Sequence, residues 1–166
     1  MKPKLYTTKQ MGDACEMLVV AELMLAGVPA VKMPDNWPGF DVAAFPNGHK
    51  NPQRISVKSR TFKRGRDSYV EYDINDNSFD WLTIVILPDA SEGEQECQIF
   101  VFPKSISDTR FYRYGPTTKN HDIMSGQIDL IANMLPEFRN NFCLSPTGAG
   151  GQLDSEGGRT QSSDPT

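Results

Sequence analysis

The sequence predicts an α/β (α+β) fold, a mixed central β-sheet flanked by helices, and three observations predict it. A stretch of apolar residues at helical spacing comes first, between Thr7 and Ala26. A continuous apolar run, Phe79 to Leu87, occupies the middle of the chain and reads as a central strand buried on both faces. Short alternating segments punctuated by Pro, Gly and Asn lie around that run, so the order of elements is helix, strand, hairpin, further strands and a terminal helix.

Taken in order, Thr7 or Thr8 caps a helix that continues to about Ala26, where Gly27 and Pro29 stop it. Met11, Ala14, Cys15, Leu18, Ala21 and Leu25 form its apolar stripe, widened in the second half by Val19, Leu23 and Ala26. Glu16 borders that stripe, and Glu22 projects near its middle, where a carboxylate needs a partner, a metal or a proton. A short strand over Ala30 to Met33 leads into the loop Pro34-Asp35-Asn36-Trp37-Pro38. Two extended segments, Gly39 to Phe45 and Arg54 to Arg60, flank a turn that carries Asn47-Gly48 and two prolines, and they pair as an antiparallel hairpin. Side chains alternate along a strand, so Asp41, Ala43 and Phe45 share one face, as do Ser56 and Lys58.

Ser68 to Ile74 alternates apolar with polar residues and reads as a half-exposed strand. The central strand follows, then an acidic turn, then a strand from Cys97 to Phe102. Pro103 to Asp108 reads as a short helical or turn segment, and Arg110 to Tyr114 as an aromatic and basic group entering a loop. A last amphipathic helix is expected over Gly126 to Asn141, kinked or broken at Pro136. From Ser145 the composition offers almost nothing to bury, which sets one domain over 1–143 and a disordered tail over 144–166.

At 166 residues the chain is long enough to bury a core without staples. Its three cysteines are dispersed, with no paired spacing and only two histidines to join them, which argues against a zinc site or a disulfide framework. The apolar stretch Met17 to Ala26 is interrupted by Glu22 and is too short for a bilayer, so a soluble cytoplasmic protein with no membrane partner is expected. No Walker-type phosphate loop, Gly-x-Ser-x-Gly elbow or His-Glu-x-x-His is present. A net charge of −4 speaks against nucleic acid taken alone, but Arg54, Lys58, Arg60, Lys63, Arg64 and Arg66 form an acid-free run able to neutralise phosphates.

The hairpin brings a carboxylate and a lysine together, and a helix acid beside them makes an oxygen-ligand site for a divalent cation acting on a phosphodiester. The segments Gly12-Asp13-Ala14-Cys15-Glu16, Gly39-Phe40-Asp41-Val42 and Arg54-Ile55-Ser56-Val57-Lys58-Ser59 resemble the PD-(D/E)XK nuclease superfamily, most nearly its small prokaryotic endonuclease-like domains. The resemblance runs in motif detail from about residue 8 to residue 62, and the strands from Phe79 and Cys97 fit the later core strands more loosely. It implies a restriction-endonuclease-like fold, with Asp41 and Glu16 holding Mg²⁺ or Mn²⁺ and Lys58 as the motif lysine. It also implies Glu16 where helix geometry singles out Glu22. Ser56 stands where the family's motif has Glu, Asp or Gln, and the Pro34-Asp35 pair precedes the strand that should carry the acid.

The function so implied is divalent-metal-dependent endonucleolytic hydrolysis of DNA, with Arg54, Arg60, Lys63, Arg64 and Arg66 gripping the backbone and a homodimer possible. The alternative is a catalytically inactive nuclease-like module that binds nucleic acid or protein.

Overall fold

The computed structural model describes residues 5–65, 67–93, 95–115 and 117–149. Helix α1, Thr8–Leu25, starts at the N-cap Thr7, whose hydroxyl accepts from the Gln10 backbone while the Gln10 side chain accepts from the Thr7 N–H. This reciprocal pair satisfies two otherwise orphaned donors at the helix start.

Five strands form the main sheet: β1 (Ala30–Lys32), β2 (Val42–Ala44), β3 (Gln53–Thr61), β5 (Trp81–Leu87) and β6 (Gln98–Pro103), in the order β1-β2-β3-β5-β6. The pairs are antiparallel except β3 with β5, which run parallel from Ile55↔Trp81 to Thr61↔Leu87. The sheet is therefore mixed, as expected from the sequence. The apolar run expected at its centre is there: every residue from Trp81 to Ile86 is buried.

That strand separates two cores. On one face α1 lays Met11, Cys15, Val19 and Leu23 against Val42, Ile55, Val57 and Val85. On the other, Leu82, Ile84, Phe100 and Phe102 meet Val70, Met124, Ile131 and Phe138. The stripe expected on α1 is thus rotated, because Ala14, Ala21 and Leu25 are exposed and the buried line runs at four-residue steps. A helix with apolar residues on most of its circumference lets the sheet it packs on choose the face, and periodicity alone had several to offer.

A second, three-stranded antiparallel sheet in the order β4-β8-β7 covers the second core, with β4 at Tyr69–Asp73, β7 at Tyr112–Arg113 and β8 at Ile123–Gln127. Here the sequence reading is overturned in one place. The expected helix from Gly126 to Asn141 is instead the end of β8, a 3₁₀ turn at Ile128–Leu130, the short helix α3 at Ile131–Met134 and another 3₁₀ turn at Pro136–Phe138. Gly126 has no Cβ, and one added there would stand 2.6 Å from the Phe111 ring, so the close sheet packing claims this position from the helix. Pro136 then ends α3 as expected.

Helix α2, Lys104–Arg110, is tied back to the loop after β4. Lys104 Nζ donates to the Ile74 carbonyl at 2.8 Å and lies 3.1 Å from Asp108, while the Tyr72 hydroxyl donates to Asp108 at 2.5 Å. Burial and that carboxylate together push the Tyr72 hydroxyl far above the ordinary phenol value. At the C-terminal side, Phe142 and Leu144 belong to the α1 core, and 150–166 of the expected tail fall outside the described residues.

Candidate active site

The site lies where β2 and β3 part. Their ladder has three pairs, ending at Val42↔Ile55, although β3 continues to Thr61. Asp41, one residue beyond, is the cross-strand neighbour of Ser56 and still donates its N–H to the Ile55 carbonyl at 2.9 Å. Its carboxylate replaces the ladder bond that β2 stops making: Oδ2 accepts from the Val57 N–H at 2.7 Å. A strand N–H points in the plane of the sheet, so this oxygen is fixed in that plane at the fork between the two faces. Oδ1 accepts no hydrogen bond among the described residues.

Glu16 approaches from α1. It lines one cavity of about 190 Å³ together with Asp41, Asp13, Asp35, Lys9 and Lys32. Burial holds its carboxyl above the ordinary glutamate value; the hydrogen bond from Lys32 opposes this, and the negative charge of Asp41 adds to it. Lys32 Nζ stands 3.1 Å from Glu16, 3.3 Å from Asp35 and 4.0 Å from Asp13, and Lys9 bridges Asp13 at 2.7 Å and Asp35 at 3.2 Å. Glu22, the other helix candidate, is half-buried and acts electrostatically on Cys97 at the start of β6, not on this cavity.

Ser56 and Lys58 share the face of β3 turned away from α1, beside Leu82 and Ile84. Ser56 is 5% exposed and its hydroxyl makes no hydrogen bond among the described residues. Lys58 is half-buried, with no ion pair among the described residues. Its charge is felt at Asp76, in the loop after β4. Burial pushes that carboxyl up, but hydrogen bonds from Ser78 and the cations Lys104 and Lys58 outweigh it and hold it below the ordinary value. The Ser78 hydroxyl lies 2.5 Å from Asp76 and donates to the Gly39 carbonyl at 2.8 Å, so this loop is fastened two residues before Asp41.

The basic run divides by position. Arg54 is committed to Asp80 through Nε at 3.1 Å and Nη2 at 2.9 Å, and Arg60 to the carbonyls of Tyr69 and Ser59 at 2.8 Å each. Lys63 and Arg64 are exposed, with looser ion pairs to Asp67 at 3.5 Å and Glu92 at 3.6 Å, and Arg66 lies outside the described residues. Arg54 and Arg60 therefore serve the fold first, whereas Lys63 and Arg64 have ammonium and guanidinium groups open to solvent.

Among the described residues no three carboxylate, imidazole or thiol groups converge as a ready-made metal cage. Mg²⁺ does not require one, since it is commonly held by one or two carboxylates and keeps several waters. Glu16 and Asp41 fit such a cation in donor chemistry, and the proton affinity of Glu16 is raised first by burial, with the neighbouring charge of Asp41 adding to it. Sequence reasoning missed Lys32, Lys9 and Asp76. The one available signal was Lys32 opposite Val42 on the strand next to Asp41, visible only once the β1–β2 register is known.

A test follows from Glu16. The folded state holds its proton more tightly than the unfolded state, so between the ordinary value of 4.5 and the raised value its contribution to stability falls as pH rises. Glu16→Gln is expected to raise Tm by a few degrees at most at neutral pH, with the gain shrinking as pH falls through that window, measured by thermal unfolding across pH. A Tm lowered equally at every pH would refute the assignment.

No protein-family model matches the chain, and no curated relative matches it. Among solved structures, the chain is similar to a bacterial homing endonuclease at 16% identity and a TM-score of 0.45, covering 69% of this chain and 84% of that one. It is also similar to Hjc, a Holliday junction resolvase of Archaeoglobus fulgidus, at 14% identity and a TM-score of 0.41, covering 72% of this chain and 90% of that one. No helix among the described residues is long and apolar enough to cross a membrane.

Proposed function

We propose that the chain is a divalent-metal-dependent endonuclease of restriction-endonuclease-like fold that hydrolyses phosphodiester bonds in DNA. One observation carries this reading: a desolvated helix carboxylate, Glu16, and a strand carboxylate, Asp41, share a small cavity at the fork of a hairpin. Glu16 and Asp41 would hold a divalent cation, which would supply Lewis acidity and offset charge building on the phosphate. Asp41 is oriented by the Val57 N–H and keeps Oδ1 for a ligand, while Glu16 contributes the second oxygen donor. Lys58 does not line that cavity and lies beside Ser56 on the face of β3 turned away from α1. Its part, to orient the attacking water or support the developing charge across the fork at Asp41, rests on the resemblance of the Ser56-Val57-Lys58 segment to the family motif. Ser56, neutral and short, adds no charge, so the affinity for metal rests on the other two side chains and on waters.

The second reading, a module that binds nucleic acid or protein without cutting, is favoured by Lys32. Its ammonium already sits 3.1 Å from Glu16, where a cation would otherwise balance the acid. Incubating supercoiled plasmid and single-stranded circles with the purified protein in Mg²⁺ or Mn²⁺ separates the two. Metal-dependent nicking that falls on the order of 10²-fold in Lys58→Ala supports the nuclease. Intact DNA that remains bound, from a folded wild type, supports the non-cutting module.

A further inference from the structure

We propose that the loop joining β1 to β2 forms a pocket for one unpaired nucleobase, with Trp37 as its stacking surface, so that the site acts on DNA that is single-stranded or frayed where it is cut. This rests on the nuclease reading above and adds to it the form of the substrate.

The loop is built to hold a shape. The Met33 N–H donates to the Asp41 carbonyl at 2.8 Å and closes its base, and the Trp37 N–H donates to the Pro34 carbonyl at 3.0 Å and closes a turn within it. Asn36 takes the left-handed conformation at φ 63°, and prolines at 34 and 38 restrict both ends. A segment so constrained has little freedom left to lose when a ligand binds. Yet it keeps the Trp37 side chain 48% exposed, whereas the chain's other tryptophan, Trp81, is 6% exposed with its indole N–H donated to Gln53. Burying an indole is among the larger gains open to a small domain, so a rigid loop that holds one half in solvent leaves an aromatic surface for another molecule. Phe40 meets the Trp37 ring edge-on, 6.3 Å between centroids and 75° between planes, so the two rings do not cover each other face to face.

The rest of the cavity narrows the occupant. Asp35 and Asn36 offer acceptors and an amide, and Lys9 and Lys32 offer donors, which suits the edge of a heterocycle. Four carboxylates against two lysines disfavour a bare phosphate or another anion there. A volume of about 190 Å³ is below the roughly 300–1,000 Å³ of drug-sized pockets and suits a single ring system. A base inside a duplex is stacked on both faces and paired at its edge, so it offers such a pocket nothing; an unpaired base offers a face to the indole and an edge to the polar wall. Glu16 and Asp41 line the same cavity, so a base seated on Trp37 brings its own backbone toward the acid pair, where a bound divalent cation would offset the repulsion between phosphate and carboxylates.

The test needs no cleavage. With the full chain in EDTA, a fluorescein-labelled oligothymidylate is titrated and read by anisotropy, and the unlabelled strand by tryptophan emission, each also as a duplex with its complement. The expected result is tighter binding of the single strand, quenching of the Trp37 emission at saturation, an affinity loss of about tenfold in Trp37→Ala, and most of the affinity kept in Trp37→Phe. The emission of buried Trp81 reports that the variants are folded. Binding without quenching, equal binding by Trp37→Ala, or equal affinity for the duplex would overturn the base pocket while leaving the nuclease reading to the plasmid assay. Failure to bind any of these strands would likewise overturn the base pocket and leave the nuclease reading, whose cation EDTA removes, to the plasmid assay.

Discussion

Asp41→Asn is expected to abolish metal-dependent nicking, a loss on the order of 10²–10³-fold, in a protein that unfolds at nearly the wild-type temperature. The asparagine keeps an amide oxygen to accept the Val57 N–H that Asp41 now accepts at 2.7 Å, so the frayed end of the β2–β3 ladder stays satisfied. What it removes is the negative charge. Glu16 then loses the like charge that helps hold its proton, its carboxyl titrates closer to the ordinary value, and a hard cation loses one of the two carboxylates assigned to hold it. Asp41→Ala differs in a way that can be measured, because it also strips the acceptor from a buried strand N–H and adds a cost of about 1–3 kcal/mol. Nicking rates, calorimetric titration with Mn²⁺ and thermal unfolding of both variants separate charge from structure. Wild-type nicking by Asp41→Asn would end the assignment of this carboxylate to the site.

The parts of the molecule that could be read in the sequence are those fixed by local chemistry. Thr7 or Thr8 announces the start of α1, Asn47-Gly48 the hairpin turn, and the run from Phe79 to Leu87 the buried centre of the sheet, since each depends on residues within a few positions of one another. Asp41 was legible as the acid of the hairpin, but Glu16 only through the family resemblance, since local helix geometry singled out Glu22; Glu16 and Asp41 line one cavity. What escaped depends on partners far along the chain. The rotation of α1 follows from which strands lie beneath it, and β8 displaced the expected helix because Phe111 packs directly on Gly126. The ion pairs of Lys32 join three acids at sequence separations from 3 to 19, and no spacing rule connects them. Arg54 and Arg60 read as a phosphate-binding run, yet a strand arginine that finds Asp80 or a carbonyl within 3.1 Å satisfies its donors inside the fold.

The second large effect is expected at Gly39. Its backbone stands at φ +91°, a region that side chains of L-residues rarely enter, and a Cβ there would lie 2.4 Å from Ser78 Cβ and 2.7 Å from its hydroxyl oxygen. Ser78 has little room to retreat. Its N–H donates to Asp76 at 2.9 Å, its hydroxyl reaches both Asp76 and the Gly39 carbonyl, and the same loop is anchored at Ile74 by Lys104. Gly39→Ala is therefore expected to cost about 1–3 kcal/mol of stability in denaturant unfolding, from backbone strain with the steric contact added. Because Asp41 lies two residues on, a displacement of about 1 Å at the loop also lowers nicking by about 10²-fold, more than the loss of folded protein accounts for. Pairing Gly39→Ala with Ser78→Gly removes the contact but keeps the positive φ, so the double variant should regain part of the stability and not all of it. Complete recovery would assign the whole cost to the contact, and no recovery would assign it to the backbone. A single variant as stable and as active as the wild type would show that the loop before Asp41 is free to move, and that its hold by Ser78 does nothing for the site.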